Sequence, residues 1–165
     1  MKKRIIAAAS AIILSLGSIS AFATAEKITI DGNTVDIPAD MGIIREVNDK
    51  TFVPLRFVSQ YLGCQVNYNE TEYTTETEYG KTTPVKGNVT FTDMNTNVSY
   101  YFTIGDDKIF VLDGTEATLA PLGEATFLGD DDRTYIPVRA FGELLGYTVD
   151  WDEANQTVSL EKSEK

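Results

Sequence analysis

The polar and apolar positions of the chain follow one pattern twice, at 48–70 and again at 131–153. In each copy a β-prone apolar pair is followed directly by a proline. A stretch with apolar residues on one helical face then ends at Leu-Gly, and a segment in which apolar and polar residues alternate comes after it. The proline of the first copy is Pro54 and that of the second is Pro137, an offset of 83 residues. The chain is therefore predicted to contain two copies of one strand–helix–strand unit.

Proline and glycine mark the limits of both predicted helices. Pro54 and Pro137 suit the first helical position, because the N–H that proline lacks would be unpaired there. Gly63 and Gly146 each follow a leucine at the end of the apolar helical face, where a left-handed residue commonly ends a helix. We expect the leucine before each glycine to be buried where its helix meets a sheet.

The segment after each glycine alternates in side-chain type, as a half-buried strand does. Cys64 begins the apolar face in the first copy, and Tyr68 and Trp151 occupy matching positions farther along the two strands. We expect both aromatic side chains on the core face. The strand after the second helix is predicted to pair with residues 157–160 in a hairpin that closes the domain.

Hairpins and further strands complete the predicted architecture. Asp31-Gly32 and Asp113-Gly114 are hairpin-turn signals, because glycine tolerates the positive φ that such turns need. The other β-prone runs are 88–92, 98–102 and 108–112. These elements predict an α+β fold in which antiparallel strands wrap around short helices. It is built from two pseudo-repeated strand–helix–strand units at about 27–70 and 108–160.

A polar stretch, 70–86, follows the first copy and is predicted to project as a long hairpin arm or loop. It carries Tyr73 and Tyr79, each preceded by Thr-Glu. Exposed aromatic side chains stack on sugar rings or form protein contacts, so both tyrosines are candidates for binding a ligand or partner. The alternative is that they pair across the strands of the arm.

The first 25 residues have the pattern of a secretory signal peptide. Three basic residues, 2–4, precede an apolar segment, 5–16, and small residues in Ala-x-Ala spacing end at Ala25. Cleavage after Ala25 is predicted, cleavage after Ala23 is the alternative, and an uncleaved anchor is the third interpretation. Residues 26–165 are then a secreted or wall-associated domain, with no further segment apolar enough to span a membrane.

Composition argues against several classes of function. The formal net charge of −11 disfavours nucleic acid and anionic lipid as partners, because phosphate binding draws on clustered Lys and Arg. The chain has no histidine, which removes the usual general base and the commonest transition-metal ligand. Its single cysteine, Cys64, is expected to be buried, a reactive thiol being the alternative. No cofactor, metal site or catalytic residue is therefore predicted.

Two sets of charged residues admit a functional and a structural interpretation. Arg56 and Arg139 recur in the first helical turn of each copy and could clamp an anion. Because they accompany the fold-defining prolines and glycines, a structural ion pair or a carbonyl-binding role within each half is favoured. The acidic run 130–132 could hold calcium, but it lacks the alternating Asp-x-Asp spacing, so a solvated turn is favoured.

The repeated motif is a basic residue, Thr, an aromatic, Val or Ile, Pro, an aliphatic residue and Arg, followed by a helix ending Leu-Gly and a strand reaching an aromatic. It spans 50–68 and 133–152 and resembles the copper amine oxidase-like N-terminal domain of exported Gram-positive proteins. The resemblance extends over about 27–162 and implies an α+β, stalk-like or envelope-associated module. In that family, copper and quinone chemistry belong to a separate catalytic domain with three histidine ligands. The resemblance therefore implies neither copper binding nor amine oxidation in this chain.

Two hypotheses of function remain. The first is a non-catalytic binding or scaffold module of the cell envelope that contacts cell-wall glycan or another exported protein. The second is a cryptic hydrolase of wall polymers that acts through acidic residues. The lack of histidine and of a Gly-x-Ser-x-Gly motif favours the first.

Overall fold

The computed structural model describes residues 25–69 and 87–163. Residues 1–24 of the predicted signal peptide and the arm 70–86 lie outside these ranges. The strands are β1 Lys27–Ile30, β2 Asn33–Val35, β3 Arg45–Val47, β4 Lys50–Pro54, β5 Cys64–Asn69, β6 Asn88–Asp93, β7 Ser99–Thr103, β8 Lys108–Asp113, β9 Glu116–Pro121, β10 Phe127–Leu128, β11 Thr134–Pro137, β12 Tyr147–Asp152 and β13 Thr157–Lys162. The helices are α1 Leu55–Tyr61 and α2 Val138–Leu144.

The fold is mostly β, with 51% of the described residues in strands and 11% in helices. The predicted α+β class, with strands wrapped around short helices, is therefore wrong. Each helix has only seven residues, which is about 10 Å of helix and too little for a sheet to wrap around. Instead α1 packs between β5 and the β4–β11 pair, and α2 packs between β12 and the same pair. Neither of these helices is long and apolar enough to cross a bilayer.

The central sheet, with strand order β10-β11-β4-β3, joins the two copies of the repeat. Its middle ladder contains three antiparallel pairs: Phe52 with Pro137, Val53 with Ile136, and Pro54 with Tyr135. Val53 and Ile136 are counterparts in the two copies, and the flanking pairs exchange when the copies are exchanged. The ladder therefore maps onto itself, and a pseudo-two-fold axis passes through the pair of Val53 and Ile136.

Each of the two outer sheets combines a hairpin from one half of the chain with strands from the other half. In the sheet β12-β13-β1-β2, the N-terminal hairpin joins the strands that follow the second helix. In the sheet β5-β6-β7-β8-β9, the hairpin that precedes the second copy joins the strands that follow the first helix. The sheets are antiparallel except where β1 runs parallel to β13. Each outer sheet therefore needs strands from both halves.

The strand–helix–strand order occurs twice, as β4–α1–β5 and β11–α2–β12. The leucines that precede the terminating glycines are buried as predicted, with Leu62 8% and Leu145 6% exposed. Gly63 and Gly146 have φ of +78° and +77°, the left-handed conformation expected of a helix-ending residue. Both prolines are extended residues that precede the helix, one position earlier than predicted.

The hairpin predictions are confirmed. Asp31 and Gly32 connect β1 to β2, and both have positive φ, as a two-residue type I′ turn requires. Gly114, also at positive φ, lies in the turn between β8 and β9. The closing hairpin of β12 and β13 extends to Lys162, two residues beyond the predicted end.

The prediction that Tyr68 and Trp151 lie in the core is wrong, since they are 42% and 37% exposed. The cause is a mismatch of length. A six-residue strand spans about 20 Å, whereas a seven-residue helix covers about 10 Å of it. The far end of each strand therefore extends beyond its helix and leaves an aromatic side chain uncovered.

Candidate functional site

The two tyrosines proposed from the sequence as binding residues, Tyr73 and Tyr79, lie outside the described residues. Their role in binding stays a prediction. The described residues contain a different candidate, which begins at the uncovered end of β12.

A cleft of about 1010 Å³ opens beside α2, with Trp151 on its wall. Its floor includes Val149 and Val158, each 3% exposed. The opposite wall is the turn that begins β4, which comes from the other half of the chain. The volume is in the range of small-molecule sites, and the mixture of an apolar floor with polar walls is typical of them.

Gly142 sets how closely α2 approaches this floor. A Cβ atom at position 142 would lie 2.5 Å from Cγ2 of Val149 and 3.3 Å from Cδ2 of Leu160. Any larger residue would push the helix away from β12. The glycine therefore fixes the separation of the helix and the strand that form two walls of the cleft.

The polar walls of the cleft are mainly acidic. The carboxylates are those of Glu46, Asp49, Glu143, Asp150 and Glu153, and the cations are Lys50 and Arg139. Nζ of Lys50 donates to the carbonyl oxygen of Gly123 at 2.6 Å. Because the carboxylates outnumber the cations, the cleft disfavours an anionic ligand and offers acceptors to hydroxyl, amide or amino groups.

Arg139 binds within its own half of the molecule. Its Nη1 donates to the carbonyl oxygen of Val149 at 2.6 Å and lies 4.0 Å from Oε1 of Glu143. This geometry agrees with the carbonyl-binding interpretation of the sequence. Its counterpart Arg56 is exposed. The symmetric role predicted for Arg56 stays a prediction.

The acidic run at 130–132 is held by residues remote in sequence. Arg45 binds the carboxylate of Asp130 and lies 3.7 Å from that of Asp131, and Oη of Tyr135 donates to Asp131 at 2.7 Å. Burial alone would raise the pKa of Asp131, but the hydrogen bonds from Tyr135 and the backbone of Arg133 outweigh it and lower this pKa. Sequence reasoning missed Arg45, because no local pattern connects it to a turn 85 residues away.

Within residues 25–69 and 87–163, no three cysteine, aspartate or glutamate side chains group closely enough to hold a metal ion.

The lone cysteine is buried, as predicted, with Cys64 5% exposed. Burial, assisted by the nearby charge of Asp93, raises the pKa of the Cys64 thiol to about 11. A buried thiol that stays protonated at neutral pH is a poor nucleophile.

Sequence reasoning also missed most of the cleft. It placed Trp151 in the core, and it gave no reason to bring Lys50 and Asp49 near α2. That proximity comes from the pairing of β4 with β11, which a repeat in the sequence does not specify. The available signal was length, because the few residues between Pro137 and Gly146 make a helix that is shorter in ångströms than the six-residue strand that follows it.

The fold and the cleft define a small, mostly β domain in which a half-exposed tryptophan, Trp151, lies on the wall of a ligand-sized cleft. The model of the copper amine oxidase N-terminal domain matches residues 5–77 and 80–160, so the chain belongs to this family. The resemblance noted from the repeated motif is thereby confirmed. In copper amine oxidases this domain is a non-catalytic accessory domain. No curated protein and no solved structure matches the chain.

Proposed function

We propose that this protein is an exported, non-catalytic binding module of the cell envelope that holds wall glycan in the Trp151 cleft. The observation that carries the proposal is Trp151 itself, 37% exposed on the wall of a cleft lined by carboxylates. The membership of the chain in a family of accessory domains supports a binding role.

The chemistry of the cleft suits a saccharide. An indole ring presents a flat apolar face to the C–H groups of a sugar ring, and surrounding carboxylates accept hydrogen bonds from its hydroxyl and amide groups. The excess of carboxylates repels phosphate-rich polymers. The ligand class is therefore a neutral or amino-substituted glycan rather than an anionic wall polymer.

Export is supported by the basic, apolar and small-residue segments that precede Ala25. Mass spectrometry of the envelope and the culture medium should find a protein that begins at Glu26, or at Thr24 if cleavage follows Ala23. Full-length protein confined to the cytosol would contradict the proposal.

A hydrolytic role has less support. A glycosidase needs a general acid whose pKa is raised. The carboxyl groups of Asp93, Asp131 and Asp152 have lowered pKa values, the opposite of what a general acid needs. Burial would raise the first two, but the hydrogen bonds they accept outweigh it, and bonds from Asn155 lower the third.

Binding to isolated sacculi tests the proposal. Sacculi stripped of phosphate-containing polymers should retain the protein at least as well as intact walls do, because the acidic cleft no longer faces like charge. Trp151→Ala should lose most of this retention. Tyr61→Ala removes an aromatic ring that is 50% exposed and lies outside the cleft, and it should bind like the parent protein. Equal retention of the tryptophan variant and the parent would refute the assignment of the cleft.

A second candidate partner is another exported protein. Across β7, β8 and β9 the pairing aligns Tyr101, Phe110 and Leu119 on one sheet face, and the last two are 48% and 54% exposed. Adjacent exposed apolar side chains are typical of protein contact surfaces. If this face binds a protein, Phe110→Ser should lose that partner from cross-linked envelope extracts and keep its retention on sacculi.

A further inference from the structure

A second cleft, of about 510 Å³, is lined by counterparts of the residues that line the first. It has Tyr68 where the first has Trp151, and Arg56 where the first has Arg139. It also has the segment 132–134 where the first has 49–51. The two clefts therefore repeat the same parts in the same roles.

The pseudo-two-fold axis through Val53 and Ile136 explains the repetition. Each cleft takes the start of a helix and the following strand from one half of the chain and a hairpin turn from the other half. An axis that exchanges the halves necessarily exchanges the clefts. The second cleft is thus a consequence of the symmetry and not an isolated surface depression.

Tyr68 is held in place although it is 42% exposed. A Cβ atom at Gly87 would lie 2.7 Å from Cε2 of the tyrosine ring, so the ring packs directly against the backbone of that glycine. A ring supported by backbone and open to solvent is positioned to stack on a ligand.

The second cleft is smaller and less acidic than the first. Its lining has three carboxylates, those of Asp40, Asp131 and Asp132, against the cations Arg56 and Arg133. One of these carboxylates, that of Asp131, already accepts a hydrogen bond from Tyr135. A tyrosine also presents less ring area than a tryptophan. The second cleft should therefore bind the same kind of ligand more weakly.

We propose that the second cleft is a second saccharide site, so that one module engages a glycan at two places. This inference rests on the proposed function of the Trp151 cleft. Two linked sites bind a polymer more tightly than either binds a short oligosaccharide, because the second contact is made at high effective concentration. The module would then bind wall glycan at two points.

Calorimetric titration of the purified protein with a β-1,4-linked N-acetylglucosamine tetramer tests the inference. The parent protein should bind two equivalents with unequal affinity. Trp151→Ala should leave the weaker event, and Tyr68→Ala should leave the tighter one, each lost event weakening by about tenfold or more. Tyr68→Trp should tighten the weaker event. Tyr61→Ala, outside both clefts, should leave both events unchanged.

The outcomes separate the two proposals. A single equivalent that Trp151→Ala removes and that Tyr68→Ala and Tyr68→Trp do not alter would overturn the second site and leave the first. Absence of any binding by the parent protein, both to the tetramer and to stripped sacculi, would overturn the proposed function itself. Retention on stripped sacculi supplies a further readout, since Tyr68→Ala should lower it if both clefts bind the polymer.

Discussion

The carboxylate of Asp93, the last residue of β6, stabilises the turn that leads to β7. The residue is charged but only 4% exposed. It accepts hydrogen bonds from the backbone N–H of Asn95 at 2.8 Å and from the hydroxyl of Thr96 at 2.9 Å. Burial alone would raise the pKa of Asp93, but these bonds outweigh it and lower the pKa. The folded state therefore favours the charged form of this side chain.

This linkage predicts a specific loss of stability in acid. Because the folded pKa of Asp93 is depressed, its contribution is present above the ordinary carboxyl pKa of 3.8 and is lost as the pH falls through the folded value. Asp93→Asn should cost about 1 to 3 kcal/mol of unfolding free energy near neutral pH. This difference in stability between the variant and the parent protein should become smaller in acid. Denaturant melts between neutral and acidic pH measure it, with the exposed Asp36→Asn as the control. A difference that does not change with pH would contradict the linkage.

The buried thiol of Cys64 should be protected from chemical modification in the native protein. With its pKa raised to about 11 by burial, it should react slowly with iodoacetamide at neutral pH in the native protein and rapidly once the protein is unfolded. Mass spectrometry of labelled protein with and without denaturant measures this difference. Fast labelling of the native protein would show that the first residue of β5 is exposed by local opening.

At the scale of elements, each helix is anchored by the leucine before its terminating glycine. Leu62 and Leu145 are buried at matching positions, so Leu62→Ala and Leu145→Ala should each cost about 2 to 5 kcal/mol. Leu119→Ala is the matched control, because this leucine is 54% exposed and its truncation should cost little. Denaturant melts of the three variants compare them. Similar losses for Leu62→Ala and Leu145→Ala, with little loss in the control, are expected from the pseudo-symmetry.

The individual elements were accessible from the sequence because each depends on nearby residues. Asp-Gly pairs set the hairpin turns through positive φ, and Gly63 and Gly146 end the helices for the same reason. The class of the fold was not accessible, because it depends on which strands pair. β1 lies beside β13 at the other end of the chain, and β4 lies beside β11, and neither pairing leaves a local signal.

The candidate site was only partly predictable for the same reason. The sequence identified Trp151 and Arg139 as repeat positions, but their exposure depends on how far a short helix covers its neighbouring strand. The opposite wall of the cleft, which includes Asp49 and Lys50, is placed by pairing between the halves. The pattern of residue types along the chain therefore identifies individual residues of the cleft, but it does not show which of them lie close together in the fold.

At the scale of the whole molecule, the exchanged hairpins make the two halves interdependent. The sheet that contains β12 and β13 is completed by β1 and β2, and the sheet that contains β5 and β6 is completed by β8 and β9. Two of the strand pairings, β1 with β13 and β4 with β11, thus join residues remote in sequence, and such long-range pairing slows folding.

The parallel pairing of β1 with β13 determines how the domain bears tension. The chain enters the fold beside Gln156 and leaves it beside Asp31, so opposite pulls on residues 25 and 163 slide the two strands along each other. The hydrogen bonds between them are then loaded together and must rupture together. Pulling instead on Gly146 and Ser163, the open end of the antiparallel β12–β13 hairpin, loads them one after another.

Single-molecule force spectroscopy with handles at those two pairs of positions should therefore record a markedly higher rupture force for 25 and 163 than for 146 and 163. Equal forces in the two geometries would show that the terminal strands do not carry the load. A domain that resists being drawn out by its ends is mechanically suited to stand between a surface and whatever pulls on it.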